Sequence, residues 1–296
     1  MHTLIVGLGS MGLGAAVSCL KAGISTTGFD VNSDALRAFS DQGGHSTADL
    51  ESIEPVDAVL LFVVNADQAD TVLFDSPLMS KFKPNAVVIN CVTVAPYRAS
   101  DISSRIVKAG FGYLDAPVSG GAVKAKNGQI SIMGSGEPET FNRVQPILDA
   151  ISERIFRLGN EPGAGSQMKL INQLLAGVHI AATAEALNLA ASLNMDLHEV
   201  IDVIQSCAGT SWMFENRGPH IANGDYTPLS TVNIFVKDLS IVIDEAQLQG
   251  AVTPLSQTAL SLYQNASDNG LGLEDDSAIV KILAAQSGSV LPGGKQ

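Results

Sequence analysis

The sequence predicts an α/β protein in two parts: an N-terminal Rossmann-type, doubly wound parallel sheet and an all-α C-terminal domain, joined by a long helix. Three observations carry this. Short β-branched apolar runs alternate with helical patterns from Thr3 to about Gly159, a glycine-rich turn follows the first run, and the strand signal stops near Pro162.

The runs are, in order, TLIVG, TTGFD, DAVLLFVV, AVVINC, GYLDAPVS, QISIMG and ERIFRLG, each short enough for a strand and alternating with helical patterns. The loop from Asn160 to Gly165 is rich in Gly and Pro and marks a boundary, giving a nucleotide-binding domain over 1–162 and a helical domain over 163–286. Helical patterns there cover roughly 164–192, 196–208, 233–249, 254–268 and 275–286. The last ten residues, SGSVLPGGKQ, are expected to form a disordered tail over 287–296.

With 46% hydrophobic and 16% charged residues in 296, the chain can bury a core in each domain. A net charge of −13 and a pI near 4.6 oppose both the phosphate backbone of nucleic acids and anionic lipid, so neither nucleic acid nor a membrane is an expected partner. Cys19, Cys91 and Cys207 are widely spaced and form no CxxC pair, which predicts neither a disulfide framework nor a metal cluster and suits the cytoplasm. The chain enters a strand at Thr3 without the basic and apolar regions of a signal peptide. Leu170 to Ala184 holds no Asp, Glu, Lys or Arg, but Asn172, Gln173, His179 and Thr183 interrupt it, predicting a buried helix rather than a membrane span. The apolar helices predict assembly into a homodimer or homotetramer.

The motif GLGSMG places Gly7, Leu8, Gly9, Ser10, Met11 and Gly12 directly after the first strand and at the start of a helix. Glycines there allow a tight turn and close approach to a pyrophosphate, while the helix N-terminus attracts the anion. Asp30 closes the second strand at about the 20-residue distance expected of a ribose-binding acid. A carboxylate accepts from the ribose hydroxyls of NAD but repels the 2′-phosphate of NADP, and the adjoining Val31 and Asn32 offer no compensating arginine. NAD is therefore the expected cofactor. A glycine turn with a solvated aspartate nearby is the competing reading, and the strand–turn–helix order weighs against it.

Open α/β sheets bind ligands beyond the carboxyl ends of their strands. The residues placed there are Gly7, Asp30, the Val63–Val64–Asn65 turn, Thr93, and Ser119–Gly120–Gly121. The last can offer a hydroxyl and two backbone N–H groups to a carboxylate, although such a tripeptide is commonly only a turn. Lys169, Asn172 and Gln173 stand at i, i+3 and i+4, so one helix face presents an ammonium and two amides. If buried, Lys169 is drawn toward general acid/base work; if exposed at a helix start, it merely snorkels. Lys237 reads either as a cofactor contact or as the partner of Asp238.

Taken together, GLGSMG, DAPVSGG at 115–121, GAGSQMKLINQ at 163–173 and KDL at 237–239 resemble the four signature regions of the β-hydroxyacid dehydrogenase family, in the same order and over nearly the whole chain. The chain is similar to 3-hydroxyisobutyrate dehydrogenases and tartronate semialdehyde reductases. Asp30, LLAGVHIAATAEAL, SWMFENR and YTPLS most resemble the branch that oxidises L-threonate to 2-dehydro-L-erythronate. The resemblance implies NAD-dependent oxidation of a small anionic hydroxycarboxylic acid with Lys169 as general acid/base. It also implies that Ser119–Gly120–Gly121 binds the substrate carboxylate, that Thr93 contacts cofactor and substrate, that Asn172 and Gln173 orient substrate, and that Lys237 lies near the cofactor. Two departures stand out. The family commonly carries Asn-Asn where this chain has Asn172-Gln173, and Lys124 stands where many relatives have a small residue, adding positive charge near the carboxylate turn. None of Tyr97, Tyr113, Tyr226 and Tyr263 has a lysine four residues later, which disfavours a short-chain dehydrogenase. A non-catalytic NAD-sensing protein is the alternative of a different class.

Overall fold

A computed structural model describes residues 1–293, and the chain divides into two compact units, Met1–Lys169 and Leu170–Gln296. In the first, strands β1 (His2–Val6), β2 (Ser25–Phe29), β3 (His45–Thr47), β4 (Val56–Leu61), β5 (Phe82–Asn90) and β6 (Gly112–Asp115) form one parallel sheet in the order β3-β2-β1-β4-β5-β6. The order reverses between β1 and β4, the switch point at which such sheets open a ligand crevice.

Both faces of the sheet are covered, and for this reason its central strands are apolar at successive positions rather than alternately. Ile5, Ala58, Leu60, Val87 and Ile89 pack with Ala15 and Ala16 of helix α1 (Ser10–Lys21) and Phe39 of α2 (Ser33–Ser40). Leu4, Val6, Val59, Leu61 and Val88 pack with Ala69 and Val72 of α3 (Ala66–Phe74) and Ala99, Ile102 and Ile106 of α4 (Pro96–Lys108).

The structure corrects the strand assignment in three places. The short polar strand β3 carries too little apolar pattern to be read from sequence. The run GYLDAPVS is interrupted at Pro117, which lacks a ladder N–H, so it yields β6 and a separate β7 (Val118–Ser119). QISIMG and ERIFRLG, flanking helix α6 (Pro138–Ile151), become β8 (Ile130–Gly134) and β9 (Ser152–Arg157) of a second, three-stranded sheet in which β7 and β8 run antiparallel. A short helix α5 (Gly121–Lys126) links β7 to β8.

Helix α7 (Ala164–Ser192) runs through the division between the units. It is followed by α8 (Leu197–Gln205), α9 (Trp212–Asn223), α10 (Val232–Leu248), α11 (Pro254–Ala266) and α12 (Val280–Ser287). In the second unit Ile180, Ala184, Leu187, Ile201, Phe214, Ile221, Phe235, Leu239 and Tyr263 share one core. Helix α9 is absent from the sequence reading because Gly218-Pro219 signals a break. Tertiary packing overrides that signal: Ser211 caps the helix by accepting from the Phe214 N–H at 3.0 Å, and Phe214, Arg217 and Ile221 are buried.

Among the described residues α7 is the one helix long and apolar enough to cross a membrane, with mean hydropathy 1.4 over its most apolar window, of which 39% is buried. The helix is not buried all round: one stripe (Gly177, Ile180, Ala184, Leu187) is enclosed and Leu175 and Leu189 are exposed. The expected tail differs as well. Gly288 ends α12 in the left-handed conformation and Leu291 returns to the helical core at 8% exposure, while 294–296 lie outside the described residues.

Candidate active site

Between β1 and α1 the chain turns on Gly7, Leu8 and Gly9. Gly7 has φ +90°, and a Cβ there would stand 2.8 Å from the Phe62 carbonyl oxygen, so only glycine fits. A Cβ on Gly12 would stand 1.8 Å from the Gly7 oxygen, and its absence lets the first turn of α1 close onto the loop. Nothing lies within 4 Å of where a Gly9 Cβ would be, and no side chain caps α1. The N–H groups at the helix start, with Ser10 and Met11, are thus available to an anion.

Asp30 follows β2 at the rim of this turn. Its Oδ2 accepts from the Leu8 N–H at 2.7 Å and its Oδ1 from the Asn32 N–H at 2.8 Å, which orient the carboxylate while leaving lone pairs for ribose hydroxyls. The Asn32 side chain caps α2 by accepting from the Asp34 N–H at 2.8 Å, and Val31 is 87% exposed. At the end of β4, Val63 is half-buried, Val64 donates its N–H to Gln68 Oε1 at 2.8 Å, and Asn65 caps α3 by accepting from the Gln68 N–H at 2.9 Å. Thr93 is half-buried in the turn between β5 and α4. A glycine-walled turn, an uncapped helix start and an oriented acceptor at the ribose position fit NAD.

The second turn of interest ends β7. Gly120 (φ +130°) and Gly121 (φ +70°) take up consecutive left-handed conformations that other residues resist. Helix α5, which follows, packs on α1 because Gly14 has no side chain; a Cβ there would lie 2.5 Å from the Ala125 carbonyl carbon. The Ser119–Gly120–Gly121 turn is thereby tied through α5 to α1. Lys124 lays its stem over Gly120, and its ammonium lies 3.5 Å from the Glu153 carboxylate, so its charge is shared.

Lys169 is 8% exposed and donates from Nζ to the Val118 carbonyl at 2.8 Å. It does not snorkel at an exposed helix start. The bond holds the amine against the residue immediately before Ser119, so amine and turn adjoin.

Asp115, within the DAPVSGG segment but assigned no role from sequence, places Lys169 there. This fully buried carboxyl accepts from the N–H groups of Gly163 (2.9 Å) and Ser166 (2.8 Å) and from the hydroxyls of Ser166 (2.7 Å) and Ser135 (3.3 Å). Burial raises its pKa from the ordinary carboxylate value against the pull of those donors. Asp115 thus pins the first turn of α7 to the end of β6. The available signal was an acidic residue closing a buried strand ahead of a helix start rich in Gly and Ser.

Further along α7, in the second unit, Gln173 is 7% exposed and donates from Nε2 to Asp238 Oδ2 at 2.5 Å. Asn172 donates from Nδ2 to Gln173 Oε1 at 2.9 Å, and Lys237 donates from Nζ to Asp238 Oδ1 at 2.5 Å. Helix α10 comes this close because Gly177 leaves room for Leu239, whose methyls lie 3.0 Å from where a Cβ would be. Lys237 thus pairs with Asp238. The sequence marks Asp238 only as that partner.

Two family models match. The one described as the NAD binding domain of 6-phosphogluconate dehydrogenase covers residues 3–159, and the one described as NAD-binding of NADP-dependent 3-hydroxyisobutyrate dehydrogenase covers 163–283. An L-threonate dehydrogenase of Escherichia coli O6:H1 is 48% identical over 99% of this chain and 97% of its own length. One of Haemophilus influenzae is 46% identical over 96% and 95%. A crystal structure from Salmonella typhimurium, described as 3-hydroxyisobutyrate dehydrogenase, superposes with a TM-score of 0.91 at 48% identity, covering 95% of this chain and 99% of its own. The relatives agree on the reaction type and differ on the acid.

Proposed function

The chain belongs to the β-hydroxyacid dehydrogenase family, and on that premise we propose that it oxidises L-threonate to 2-dehydro-L-erythronate with NAD, Lys169 serving as general acid/base. The observation that carries the reading is the Lys169 Nζ to Val118 carbonyl bond, which sets a buried amine beside the Ser119–Gly120–Gly121 turn.

When bound, NAD accepts the hydride from the hydroxyl-bearing carbon. The rest of the reaction falls to the chain. The turn takes the substrate carboxylate on its backbone N–H groups and the Ser119 hydroxyl, with Lys124 adding a partly neutralised positive charge. In oxidation the neutral Lys169 amine keeps one N–H on the Val118 carbonyl and uses its lone pair to take the substrate hydroxyl proton; in reduction the ammonium returns it. Asn172 and Gln173, one helical turn on, orient the substrate oxygens. On the cofactor we place Gly7, Leu8, Gly9, Ser10, Met11, Gly12, Asp30, Val31, Asn32, Val63, Val64, Asn65, Thr93 and Lys237. The strong acidity of the chain makes local cations the means of attracting an anionic acid.

This reading places the enzyme in the cytoplasm as a homodimer or homotetramer. Exposed apolar side chains on the helical unit, among them Leu175, Leu189, Leu193 and Trp212, support assembly. Light scattering at micromolar concentration is expected to give a multiple of the chain mass, and a monomer would reject it. The activity is tested by following NAD reduction with L-threonate, erythronate, 3-hydroxyisobutyrate, glycerate, tartronate and 6-phosphogluconate. L-threonate is expected to give the highest kcat/KM; a higher value with another acid reassigns the substrate, and no reduction with any of them supports an NAD-sensing protein instead.

A further inference from the structure

A carboxylate only accepts hydrogen bonds, and this fixes the direction of every bond in the chain that starts at Asp238. With the carboxylate paired to Lys237, Gln173 must turn its NH2 group toward Asp238 Oδ2, at 2.5 Å. Its carbonyl then faces Asn172 and can only accept, so Asn172 supplies its own NH2 group, at 2.9 Å. The Asn172 Oδ1 is left as the outward end of the chain, a pure acceptor on the face of α7 that one turn earlier carries Lys169. A neutral residue in place of Asp238 would leave both amides free to flip, since an amide presents donor and acceptor equally well.

We propose that Asp238 is a positioning residue that sets the polarity of the Gln173–Asn172 amide pair, making Asn172 an acceptor that reads a hydroxyl of the substrate other than the one oxidised. Methylated or deoxygenated acids lack the matching donor, so the pair selects polyhydroxylated acids. The proposal rests on the reading above that a hydroxyacid is oxidised beside Lys169.

The test compares kcat/KM for L-threonate with that for its 3-deoxy and 4-deoxy analogues in the full-length enzyme. The wild-type protein is expected to favour L-threonate over at least one analogue by about tenfold or more, the worth of roughly one hydrogen bond. Asp238→Asn should shrink that preference to within about threefold, because the threonate value falls more than the analogue value. A residue with only a structural role would lower both alike. Gln173→Met severs the chain without altering Asp238 and should shrink the preference in the same way, which keeps the test open if Asp238→Asn does not fold. The decisive variant is the double substitution Asp238→Asn with Asn172→Asp, which moves the carboxylate to the other end of the chain and restores a pure acceptor at 172. The preference should return. An unchanged preference in the folded Asp238→Asn or Gln173→Met proteins, or no recovery in the double variant, overturns the proposal. Absence of turnover by the wild-type protein on any hydroxyacid overturns instead the functional reading on which it rests.

Discussion

The two units hold their polar groups in different ways. The first relies on backbone: Gly7, Gly12, Gly120 and Gly121 shape its turns by the side chains they lack, and its buried carboxyl, Asp115, is satisfied by neutral donors alone. The second builds from paired charged side chains. Arg217 of α9 donates from Nε to Asp276 Oδ1 at 2.5 Å and from Nη2 to Oδ2 at 3.0 Å, both groups being buried, and Lys237 pairs with Asp238. Backbone sites depend on local conformation and tolerate no side chain. Ion-paired sites depend on both partners being present, since removing one leaves a buried charge.

The largest effect expected from this contrast is on stability. Arg217→Met should cost about 3–5 kcal/mol in urea unfolding, because it strands the buried Asp275 and Asp276 without their arginine; a cost below about 1 kcal/mol would mean the pair does not hold the helical unit. The same site has a pH signature. Burial raises the Asp276 pKa from 3.8 to about 6 against the Arg217 bond, so the folded protein keeps a proton that the unfolded chain releases near pH 4. That contribution to stability is complete below pH 4 and is lost as pH rises through 6. Asp276→Asn should remove this downward slope from the unfolding free energy measured between pH 4 and 6.

Next in size is the chemistry. Lys169→Ala should lower kcat by about 10² or more while leaving the NAD dissociation constant nearly unchanged, because the nucleotide turn is made of backbone elsewhere in the first unit. The rising limb that general-base action by Lys169 would give the oxidative pH profile should vanish with it. Thermal unfolding and NAD titration establish first that the variant is folded. Wild-type turnover by such a variant would reduce Lys169 to a packing residue.

The smallest effect concerns the cofactor. With the Asp30 carboxylate held by the Leu8 and Asn32 N–H groups and no arginine in the Val31–Asn32 segment, kcat/KM with NAD should exceed that with NADP by at least about tenfold, or ~1.4 kcal/mol. Equal efficiencies would show that the backbone-built site does not discriminate by charge.

Local pattern made the first unit legible. Apolar runs, the GLGSMG turn and Asp30 announce a strand, a turn, a helix and an acceptor because each depends on neighbours in the chain. The same logic located α7 to its observed ends, Ala164 and Ser192. It failed for β3, whose three polar residues carry no periodicity, and for α9, whose Gly218-Pro219 pair reads as a stop until Phe214, Arg217 and Ile221 find buried partners. It also placed β8 and β9 in the wrong sheet, since an apolar strand does not specify which edge it joins.

By itself the sequence determined the fold class, the nucleotide turn with its acidic partner, and the presence of Lys169, Asn172 and Gln173 on one helix. Only the tertiary structure decided what those residues are bonded to. Lys169 reaches Val118, 51 positions away, Ser166 reaches Asp115 across the same 51, and Gln173 reaches Asp238 across 65. Spacing within a helix is dictated by backbone geometry and can be read from the chain. The partner of a buried polar group is settled instead by which distant elements pack together, and for Gln173 and Asp238 that turns on Gly177, a residue whose contribution is the side chain it lacks.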